Sequence, residues 1–487
     1  MNKLYIFFIA QFFLFSCNPS SDREGPEAQA YPNVIFVLAD QWRGEAVGYA
    51  GNRDIITPNL DRLAEESVVF ENTVAMIPVC APWRASFLTG QYPLTHGVFY
   101  NDQPLSPEAV SMGKLYKEAG YQTGYIGKWH LNGRQEKDKP FSGRDKPVPR
   151  ERRQGFDYWK VSEVTHNYNE SFYFDENDKK HFWEGYDVFP QTDSAISYIH
   201  RNKEQPFLLY LSWGPPHDPY FTAPEEYRNR YDPANIALRP NVPEEFQDSA
   251  RNVIAAYYAH CTAMDKALGD LLDAVEEAGI ADNTLFVFTS DHGDMLMSKG
   301  VLKKQRPWDE SIMVPMLLRY PNKLGKDKKT VSAPINTMDL LPTFLGLSGI
   351  PVPESIEGED YSAQLLEGVE LKKEAALITL PVPFHEWNFP RGGREYRGVR
   401  TDRYTYVRDL KGPWLLYDNK EDPYQKHNLT DQPQIAQLQK HMESLLQEKL
   451  AKVNDDFLPA DEYMKKWGYL YDRDDSLRSE NYLERGR

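Results

Sequence analysis

The sequence predicts an α/β protein with a large central, mostly parallel sheet flanked by helices, and a smaller C-terminal α+β subdomain with an antiparallel sheet and a helix. Short uninterrupted apolar runs, typical of strands buried on both faces, alternate with segments of helical periodicity. Polar residues follow several runs directly, as in open α/β sheets that bind ligands at the carboxyl ends of their strands. Beyond Ile350 the pattern changes to that of short antiparallel strands.

The length and composition indicate a globular protein with a substantial core. The chain has 487 residues, of which 41% are hydrophobic and 13% are aromatic, and this composition excludes disorder. Its 56 basic and 72 acidic residues give a net charge of -16. Nucleic acid is therefore excluded as a partner, because binding it would demand a basic face. A polyanionic substrate would be repelled at long range, so an anion site must be a local pocket.

The N-terminus has the features of an export signal. An apolar run over residues 4–15 is too short to span a bilayer and is typical of a signal peptide. It ends at Ser16-Cys17 in a sequence that resembles a bacterial lipobox, in which Cys17 receives the lipid. We expect residues 1–17 to be a lipoprotein signal peptide and residues 18–31 to be a flexible tether. The alternative is an ordinary signal peptide cut near Ser16.

This N-terminus predicts the location of the protein. We expect export in a Gram-negative bacterium, either to the periplasm or to the outer membrane. Contact with a membrane is then expected only through the lipid anchor.

Four predicted strands are followed at once by polar residues that can do chemistry. They are Val34–Ala39 with Asp40 and Gln41, Tyr121–Ile126 with Lys128 and His130, Phe207–Leu211 with His217, and Leu285–Thr289 with Asp291 and His292. Because ligands of open α/β sheets bind where the strands end, we expect these side chains to form one site.

Capping residues and periodicity place the helices between and after these strands. The predicted helices are one that Thr57 caps and Pro58 begins, one near Cys80 with Pro82 in its first turn, and those over Pro107–Ala119, Ala250–Gly279 and Pro433–Val453. Cys80 then lies at a helix N-terminus, where free N–H groups and the helix dipole favour a bound sulfate or phosphate.

Only one of the three cysteines needs a chemical explanation. The three are Cys17, Cys80 and Cys261, too few for a disulfide framework in an exported protein. Cys261 falls on the apolar face of a predicted helix, so we expect a buried core thiol. Cys80 is left as the cysteine with a chemical role.

The smaller subdomain is expected to begin near residue 373. Its predicted strands include Ile378–Pro383 and Tyr404–Arg408. We therefore predict a catalytic domain over residues 32–372 and a C-terminal subdomain over residues 373–487.

Asp40 and Asp291 are the first candidates for a metal site. Two carboxylates brought together at strand ends repel each other, and a divalent cation with oxygen ligands relieves that repulsion. Gln41 and His292 are neighbours that can complete the ligand set. The alternative for each aspartate alone is a turn residue or helix cap.

Four groups of residues stand out as motifs: Cys80-Ala81-Pro82-Trp83-Arg84, Gly127-Lys128-Trp129-His130-Leu131, the stretch Thr289–Met295 with Trp308–Ser311, and Leu416-Tyr417-Asp418 with Asp422-Pro423 and Asn428-Leu429. Together these motifs resemble those of the type I sulfatases, formylglycine-dependent members of the alkaline-phosphatase-like superfamily. The resemblance covers about residues 32–450. It implies an enzyme of the bacterial polysaccharide sulfatase type, a sulfuric ester hydrolase.

The resemblance implies a chemical role for Cys80. A maturation enzyme, an expected partner, oxidises the cysteine to formylglycine, whose hydrate attacks sulfur and forms an enzyme-bound sulfate ester. One divalent cation, expected to be Ca²⁺, lies on Asp40, Gln41, Asp291 and His292 and acidifies the attacking hydroxyl.

The resemblance also assigns the surrounding residues. Arg84 and Lys128 match the pair that holds the formylglycine oxygens. Lys304 matches the lysine that grips the sulfate, with Lys303 as the alternative. His217 matches the general acid that protonates the leaving alkoxide. His130 matches the base that strips the second hydroxyl, so that the hemiacetal collapses and releases sulfate.

Two positions depart from the pattern of many relatives. Gln41 stands where many have a second aspartate, and His292 stands where many have asparagine. A ring nitrogen suits a hard cation less well than an amide oxygen does. Related phosphonate monoester and phosphodiester hydrolases carry the same substitutions, so these hydrolases are the alternative function. A catalytically silent glycan-binding lipoprotein is the third class, and the intact motif residues argue against it.

The expected substrate is a sulfated polysaccharide or oligosaccharide, either an algal glycan such as ulvan, carrageenan or fucoidan, or a glycosaminoglycan. A segment between two predicted C-terminal strands is the candidate sugar-binding loop. Its candidate substrate-binding residues are His385, Trp387, Arg391 and Arg394. Aromatic faces can stack on sugar rings, and guanidinium groups suit carboxylates or a second sulfate. The alternative is a surface loop whose Trp387 only packs against the rest of the protein.

Overall fold

The computed structural model describes residues 31–133 and 143–469, together with Met1. Apart from Met1, the predicted signal peptide lies outside the described residues, as do the predicted lipidation site Cys17 and most of the predicted tether. Among the described residues, no helix is long and apolar enough to cross a membrane.

Seventeen strands and thirteen α-helices make up the described part of the chain. The strands are β1 (Asn33–Asp40), β2 (Val68–Phe70), β3 (Thr73–Val74), β4 (Gln122–Lys128), β5 (Tyr158–Ser162), β6 (Phe172–Phe174), β7 (Lys180–Phe182), β8 (Phe207–Pro216), β9 (Thr284–Ser290), β10 (Met313–Val314), β11 (Met316–Arg319), β12 (Lys329–Val331), β13 (Ile335–Asn336), β14 (Ala376–Leu380), β15 (Tyr396–Arg400), β16 (Tyr404–Asp409) and β17 (Gly412–Asp418). The helices are α1 (Pro58–Glu65), α2 (Cys80–Thr89), α3 (Pro93–His96), α4 (Met112–Glu118), α5 (Val188–Asn202), α6 (Glu225–Arg228), α7 (Gln247–Glu277), α8 (Asp309–Ile312), α9 (Pro321–Leu324), α10 (Thr337–Leu347), α11 (Ser362–Glu367), α12 (Ala436–Lys452) and α13 (Ala460–Lys466).

A ten-stranded sheet in the order β12-β2-β11-β9-β1-β8-β4-β5-β6-β7 forms the centre of the protein. The strands from β9 to β5 are parallel, whereas β11 pairs antiparallel with both β9 and β2, and β6 pairs antiparallel with β5 and β7. In the centre, β1 pairs Val34 with Leu208 of β8 and with Leu285 of β9. These residues are fully buried because helices cover both faces of the sheet.

Two apolar cores lie on the two sides of this sheet. One core joins α5 and α7 to the sheet and contains Cys261, which is fully buried as predicted. The other joins α2, α4 and α10 to the opposite face. The layered arrangement confirms the predicted α/β class, although the sheet is mixed: the five parallel strands β9 to β5 form its centre, and antiparallel pairs join them to β11 on one side and β6 on the other.

The C-terminal sheet has the antiparallel order β14-β15-β16-β17, and α12 packs against β15 and β16. This arrangement confirms the predicted smaller sheet with its helix. The boundary at residues 372 and 373 stays a prediction.

The structure differs from the sequence-based prediction in three places: two helices start later than predicted, and one small sheet was not predicted. The helix expected over Pro107–Ala119 is shorter and forms only as α4, from Met112. The C-terminal helix begins with a 3-10 turn, so its α-helical part starts at Ala436. A small sheet in the order β10-β3-β13 had no sequence signal, because strands of two residues have no measurable period.

Candidate active site

The predicted polar residues meet at one edge of the large sheet. Asp40 and Lys128 are the last residues of β1 and β4, while His217 and Asp291 come directly after β8 and β9. These four strands are consecutive in the sheet, so their carboxyl ends are adjacent. Helix α2 begins at Cys80 beside them, with Val79 in an extended conformation before it. The topology therefore gathers residues separated by more than 200 positions in sequence.

Two buried carboxylates lie at the base of this site. Metal-binding atoms of Asp40, Cys80, Asp291 and His292 all lie within 4.8 Å of one another. The Nε2 atom of His292 is 3.6 Å from Oδ1 of Asp291 and 3.8 Å from Oδ1 of Asp40. Burial and the Asp40 charge raise the pKa of Asp291. A cation between the two carboxylates would remove this repulsion.

Gln41 supplies a further oxygen that fits a cation. Its backbone has a φ of 71°, and its Nε2 donates to Oδ2 of Asp294 over 2.7 Å. The Tyr220 hydroxyl donates to the same Asp294 oxygen over 2.7 Å. Gln41 Oε1 is buried and has no hydrogen-bond partner among the described residues. Because the amide nitrogen is already held, the amide oxygen is left as a ligand, and the donor set of the cluster fits a divalent metal.

The Cys80 thiol lies between cationic and carboxylate groups. Its Sγ is 2.9 Å from Nζ of Lys304 and 3.6 Å from Oδ1 of Asp40. Burial would raise the pKa of this thiol, but the positive charges of Lys128 and Lys304 lower it well below its usual range. Cys80 is 1% exposed, so the positive charges act on it with little screening by solvent.

Arg84 and Lys128 neutralise the carboxylates. Arg84 lies one turn after Cys80 on α2 and therefore faces the same side. Its guanidinium donates to Asp40 over 2.9 Å and to Asp291 over 3.2 Å. Nζ of Lys128 donates to Oδ2 of Asp40 over 2.6 Å. Burial would raise the pKa of Asp40, and these cations with His217 lower it instead.

His217 and Lys304 form a direct contact. Nε2 of His217 is 2.8 Å from Nζ of Lys304, and its Nδ1 is 2.9 Å from the carbonyl oxygen of Asp218. The alternative lysine, Lys303, instead pairs with the Asp218 carboxylate over 3.2 Å. The geometry thus places Lys304 against Cys80 and Lys303 outside that contact.

His130 lies among buried carboxyl groups that the sequence did not point to. Its Nε2 is 3.6 Å from Oδ1 of Asp102, and Arg144 donates to the same oxygen over 2.9 Å. The backbone N–H of His130 donates to the carbonyl of Glu163 over 2.8 Å. Burial raises the pKa of Glu163 to about 7. Asp102 lies in a loop without strand or helix periodicity, so no pattern pointed to it. Glu163 comes directly after β5, but Lys160 and Ser162 interrupt the apolar pattern of that strand, so the sequence did not predict it.

The candidate sugar-binding loop lies beside the site, but Trp387 does not open into it. Phe384, at the start of the loop, exchanges two hydrogen bonds with Gln305, the residue after Lys304. Trp387 is 6% exposed and packs on Trp414 with ring centroids 6.3 Å apart. This burial favours the packing alternative for Trp387.

The other loop residues are held in different ways. Arg391 is mostly exposed and donates to the carbonyl of His385 over 3.1 Å. Arg394 pairs with Asp409 over 3.0 Å and covers the Trp414 ring. His385 is half-buried, with a φ of 47°. Among these side chains, Arg391 has no carboxylate partner among the described residues.

Comparison with known proteins gives a consistent family match. The sulfatase family model matches residues 32–350, and the model of the C-terminal region of N-sulphoglucosamine sulphohydrolase matches residues 298–452. An ulvan-active sulfatase of Formosa agariphila is 42% identical over 472 residues, which cover 95% of this chain and 90% of the relative.

Solved structures share the whole fold. A structure from Bacteroides fragilis, described as the candidate sulfatase yidJ, superimposes with a TM-score of 0.80 at 31% identity, covering 91% of this chain and 99% of that one. A phosphonate monoester hydrolase of Agrobacterium radiobacter superimposes with a TM-score of 0.70 at 22% identity, covering 86% of this chain and 96% of that one. At that identity the second likeness concerns the fold alone.

Proposed function

We propose a function from one premise: the chain belongs to the sulfatase family of sulfuric ester hydrolases. It removes ester sulfate from a sulfated polysaccharide or its oligosaccharides, and the first substrate to test is ulvan. The observation that carries this proposal is the buried Cys80 at the start of α2, in contact with Lys304 and beside Asp40. The 42% identity to an ulvan-active sulfatase favours ulvan over carrageenan, fucoidan or a glycosaminoglycan.

The phosphonate and phosphodiester alternative has weaker support. Its argument rests on Gln41 and His292, and the phosphonate hydrolase similarity reaches only 22% identity. A catalytically silent binding protein is disfavoured, because a binding protein has no need of a buried cysteine among three cations. That alternative would also leave the contacts of Lys304 and Arg84 unexplained.

A divalent cation, proposed to be Ca²⁺, would be held by Asp40, Gln41, Asp291 and His292. When bound, the cation supplies Lewis acidity toward sulfate and the attacking hydroxyl. The unpartnered oxygen of Gln41 and the mutual repulsion of the two aspartates support this assignment.

The Cys80 side chain is proposed to act as formylglycine, made by a maturation enzyme that is a required partner. The hydrated aldehyde supplies a hydroxyl nucleophile for sulfur. Arg84 and Lys128 are proposed to hold the oxygens of that side chain. Lys304, at 2.9 Å from Sγ, binds the sulfate oxygens that arrive there.

Two histidines divide the proton transfers. His217 gives its proton to the leaving alkoxide oxygen as the oxygen–sulfur bond breaks. His130 takes a proton from the Cys80-derived side chain in the later step that releases sulfate. The Asp102 carboxylate, 3.6 Å from His130, stabilises the protonated imidazole that results.

Export and anchoring form part of the same proposal. We propose that Cys17 carries a lipid that attaches the enzyme to the outer membrane, with the residues after it as a tether. The catalytic domain is proposed to end near residue 372. A polymeric substrate that cannot enter the cell suits an exported enzyme.

The test is a substrate panel with enzyme co-expressed with a maturation enzyme. Ulvan, carrageenan, fucoidan and glycosaminoglycan oligosaccharides are compared with 4-nitrophenyl sulfate and a phenylphosphonate monoester, and products are analysed by mass spectrometry. Sulfate release from an ulvan oligosaccharide is expected. Hydrolysis of the phosphonate ester with no release of sulfate from any ester would contradict the proposal.

A further inference from the structure

His166 lies against the face of His217, although no motif drew attention to it. The two imidazole rings have centroids 4.6 Å apart and an interplanar angle of 6°. His217 is 5% exposed, whereas His166 is exposed on the loop after β5. Parallel aromatic rings at this separation are in contact over their faces.

The polar contacts of His217 with the described residues involve its two ring nitrogens and its backbone, and they include a 3.2 Å contact of Nδ1 with the Asp218 carboxylate. Nδ1 lies at 2.9 Å from the carbonyl of Asp218, and Nε2 lies at 2.8 Å from Lys304. The Tyr168 hydroxyl donates to the His217 carbonyl oxygen over 3.0 Å. Hydrogen bonds at the two ring nitrogens do not by themselves remove the freedom of an imidazole to tilt about the line between those atoms. A flat partner on its face removes that freedom.

We propose that His166 is a positioning residue that fixes the plane of the His217 imidazole for proton donation to the leaving alkoxide. This inference rests on the proposed function, because it requires His217 to act as the general acid. Proton transfer depends on the direction of the N–H bond toward the leaving oxygen, so a tilted ring transfers its proton less efficiently. In this proposal His166 acts through His217.

The proposal predicts a loss that depends on the leaving group. His166→Ala lowers kcat for an ulvan oligosaccharide about 10-fold to 100-fold, because a tilted ring loses only part of the roughly 10²-fold to 10⁴-fold that a general acid contributes. The same variant leaves kcat for 4-nitrophenyl sulfate within about 2-fold, because nitrophenolate departs without a proton. The KM of this variant for the oligosaccharide also stays within about 2-fold of the wild-type value, because ground-state binding is unchanged.

Two further variants separate positioning from simple stability. His166→Phe keeps a flat ring and restores kcat for the oligosaccharide, whereas His166→Leu keeps the bulk without the plane and behaves like His166→Ala. Asn167→Ala is the matched control, since Asn167 is exposed on the same loop and its side chain bonds only to Glu170. The melting temperature of each variant is measured alongside.

Equal losses on both substrates, or failure of His166→Phe to restore kcat, overturn the inference. If His166→Ala does not fold, the contrast between His166→Leu and His166→Phe decides in the same way. Failure of the proposed function has a different signature. The wild-type enzyme then releases no sulfate from any ester, and the inference falls with it.

Discussion

The charges around Cys80 determine what that single residue can do. Cations at Arg84, Lys128 and Lys304 face the carboxylates of Asp40 and Asp291 in a space closed to solvent. Such a pocket stabilises an anion at the Cys80 position, whether a thiolate or an ionised hydroxyl. The overall charge of -16 would repel a sulfated polymer, so this local cluster must supply the attraction for the sulfate group.

At residue scale, mature Cys80 is expected to be formylglycine. Mass spectrometry of the peptide that contains it should show the loss of the thiol sulfur in place of an intact cysteine. Cys80→Ala should abolish turnover and leave the melting temperature within a few degrees, because it removes only a small buried group. Full activity in a preparation whose Cys80 remains a thiol would exclude this chemistry.

Asp291→Asn should weaken cation binding, because it removes one of two negative charges from the cluster. Calorimetric titration of the metal-free protein with Ca²⁺ should show at least about a 10-fold weaker affinity, and chelation should inactivate the wild-type enzyme. Asp193→Asn, an exposed carboxylate on α5, is the matched control. Unchanged affinity in Asp291→Asn would show that the ligand set is wrong.

At the scale of elements, the loop after β14 shows that the position of a residue within a loop decides what its side chain can contact. Trp387 and Arg391 come from one short loop, yet Trp387 is buried against Trp414 while Arg391 remains mostly exposed. Substitutions of these two residues, which were both predicted to bind the sugar, are therefore expected to have different effects: one on stability and the other on substrate binding.

Arg391→Ala should raise KM for the natural oligosaccharide several-fold and spare 4-nitrophenyl sulfate, because a guanidinium can pair with an anionic group of the glycan. Trp387→Ala should instead lower stability by about 3 kcal/mol, as truncation of a buried aromatic residue does. Steady-state kinetics on both substrates and chemical denaturation measure the two effects. An Arg391→Ala enzyme with unaltered kinetics on the glycan would place the loop outside the sugar site.

Helix α5 is expected to show a pH-dependent stability that arises at its first turn. Asp187, directly before Val188, is buried, and burial raises its pKa to about 7. The folded protein therefore binds this proton more tightly than the unfolded chain. Its stabilising effect is full below the unfolded pKa and is lost as the pH rises toward 7.

Asp187→Asn should remove the loss of stability that the wild-type protein shows as the pH rises, because an asparagine side chain does not ionise. The free energy of unfolding of the variant, relative to wild type, should rise by ~2 kcal/mol between pH 5 and pH 8. Denaturant titrations at both pH values measure the difference. A difference that does not change with pH would mean that Asp187 is ionised in the folded protein throughout.

At the scale of the whole molecule, one buried carboxylate of the C-terminal part is hydrogen-bonded to the N-terminal part of the chain. Arg397 of β15 pairs with Asp455, and both side chains are fully buried. Asp455 also accepts a hydrogen bond of 2.6 Å from Tyr92, which lies just after α2, and another from Tyr463 of α13. The Asp455 carboxylate therefore links β15 of the C-terminal sheet to the segment between α2 and α3.

Asp455→Ala should destabilise the protein by about 3–5 kcal/mol, because it leaves the Arg397 charge buried and unpaired. Asp456→Ala, an exposed neighbour, should change stability by less than about 0.5 kcal/mol. Urea denaturation followed by fluorescence measures both. Equal effects of the two substitutions would remove Asp455 from this structural role.

The sequence alone determined the fold class and the residues at the strand ends. Buried parallel strands are recognised as continuous apolar runs, so β1, β8 and β9 were identified directly, together with the polar residues that follow them. The fourth strand, β4, contains Gln122 and Thr123 and is therefore only partly apolar. Cys80 at the start of α2 could be placed from the position of Pro82. These features depend on residues close together in sequence, so they can be predicted from local sequence patterns.

Only the tertiary structure showed which residues contact the predicted site residues. Asp102 beside His130, His166 against His217 and Asp294 on the amide of Gln41 are contacts between separate loops. It also decided that Trp387 is buried, although the composition of its loop favoured a sugar site equally well. Contacts between segments that are distant in sequence produce no periodic pattern along the chain. They depend on how the strands are ordered in the sheet and on how the loops pack once the sheet has formed.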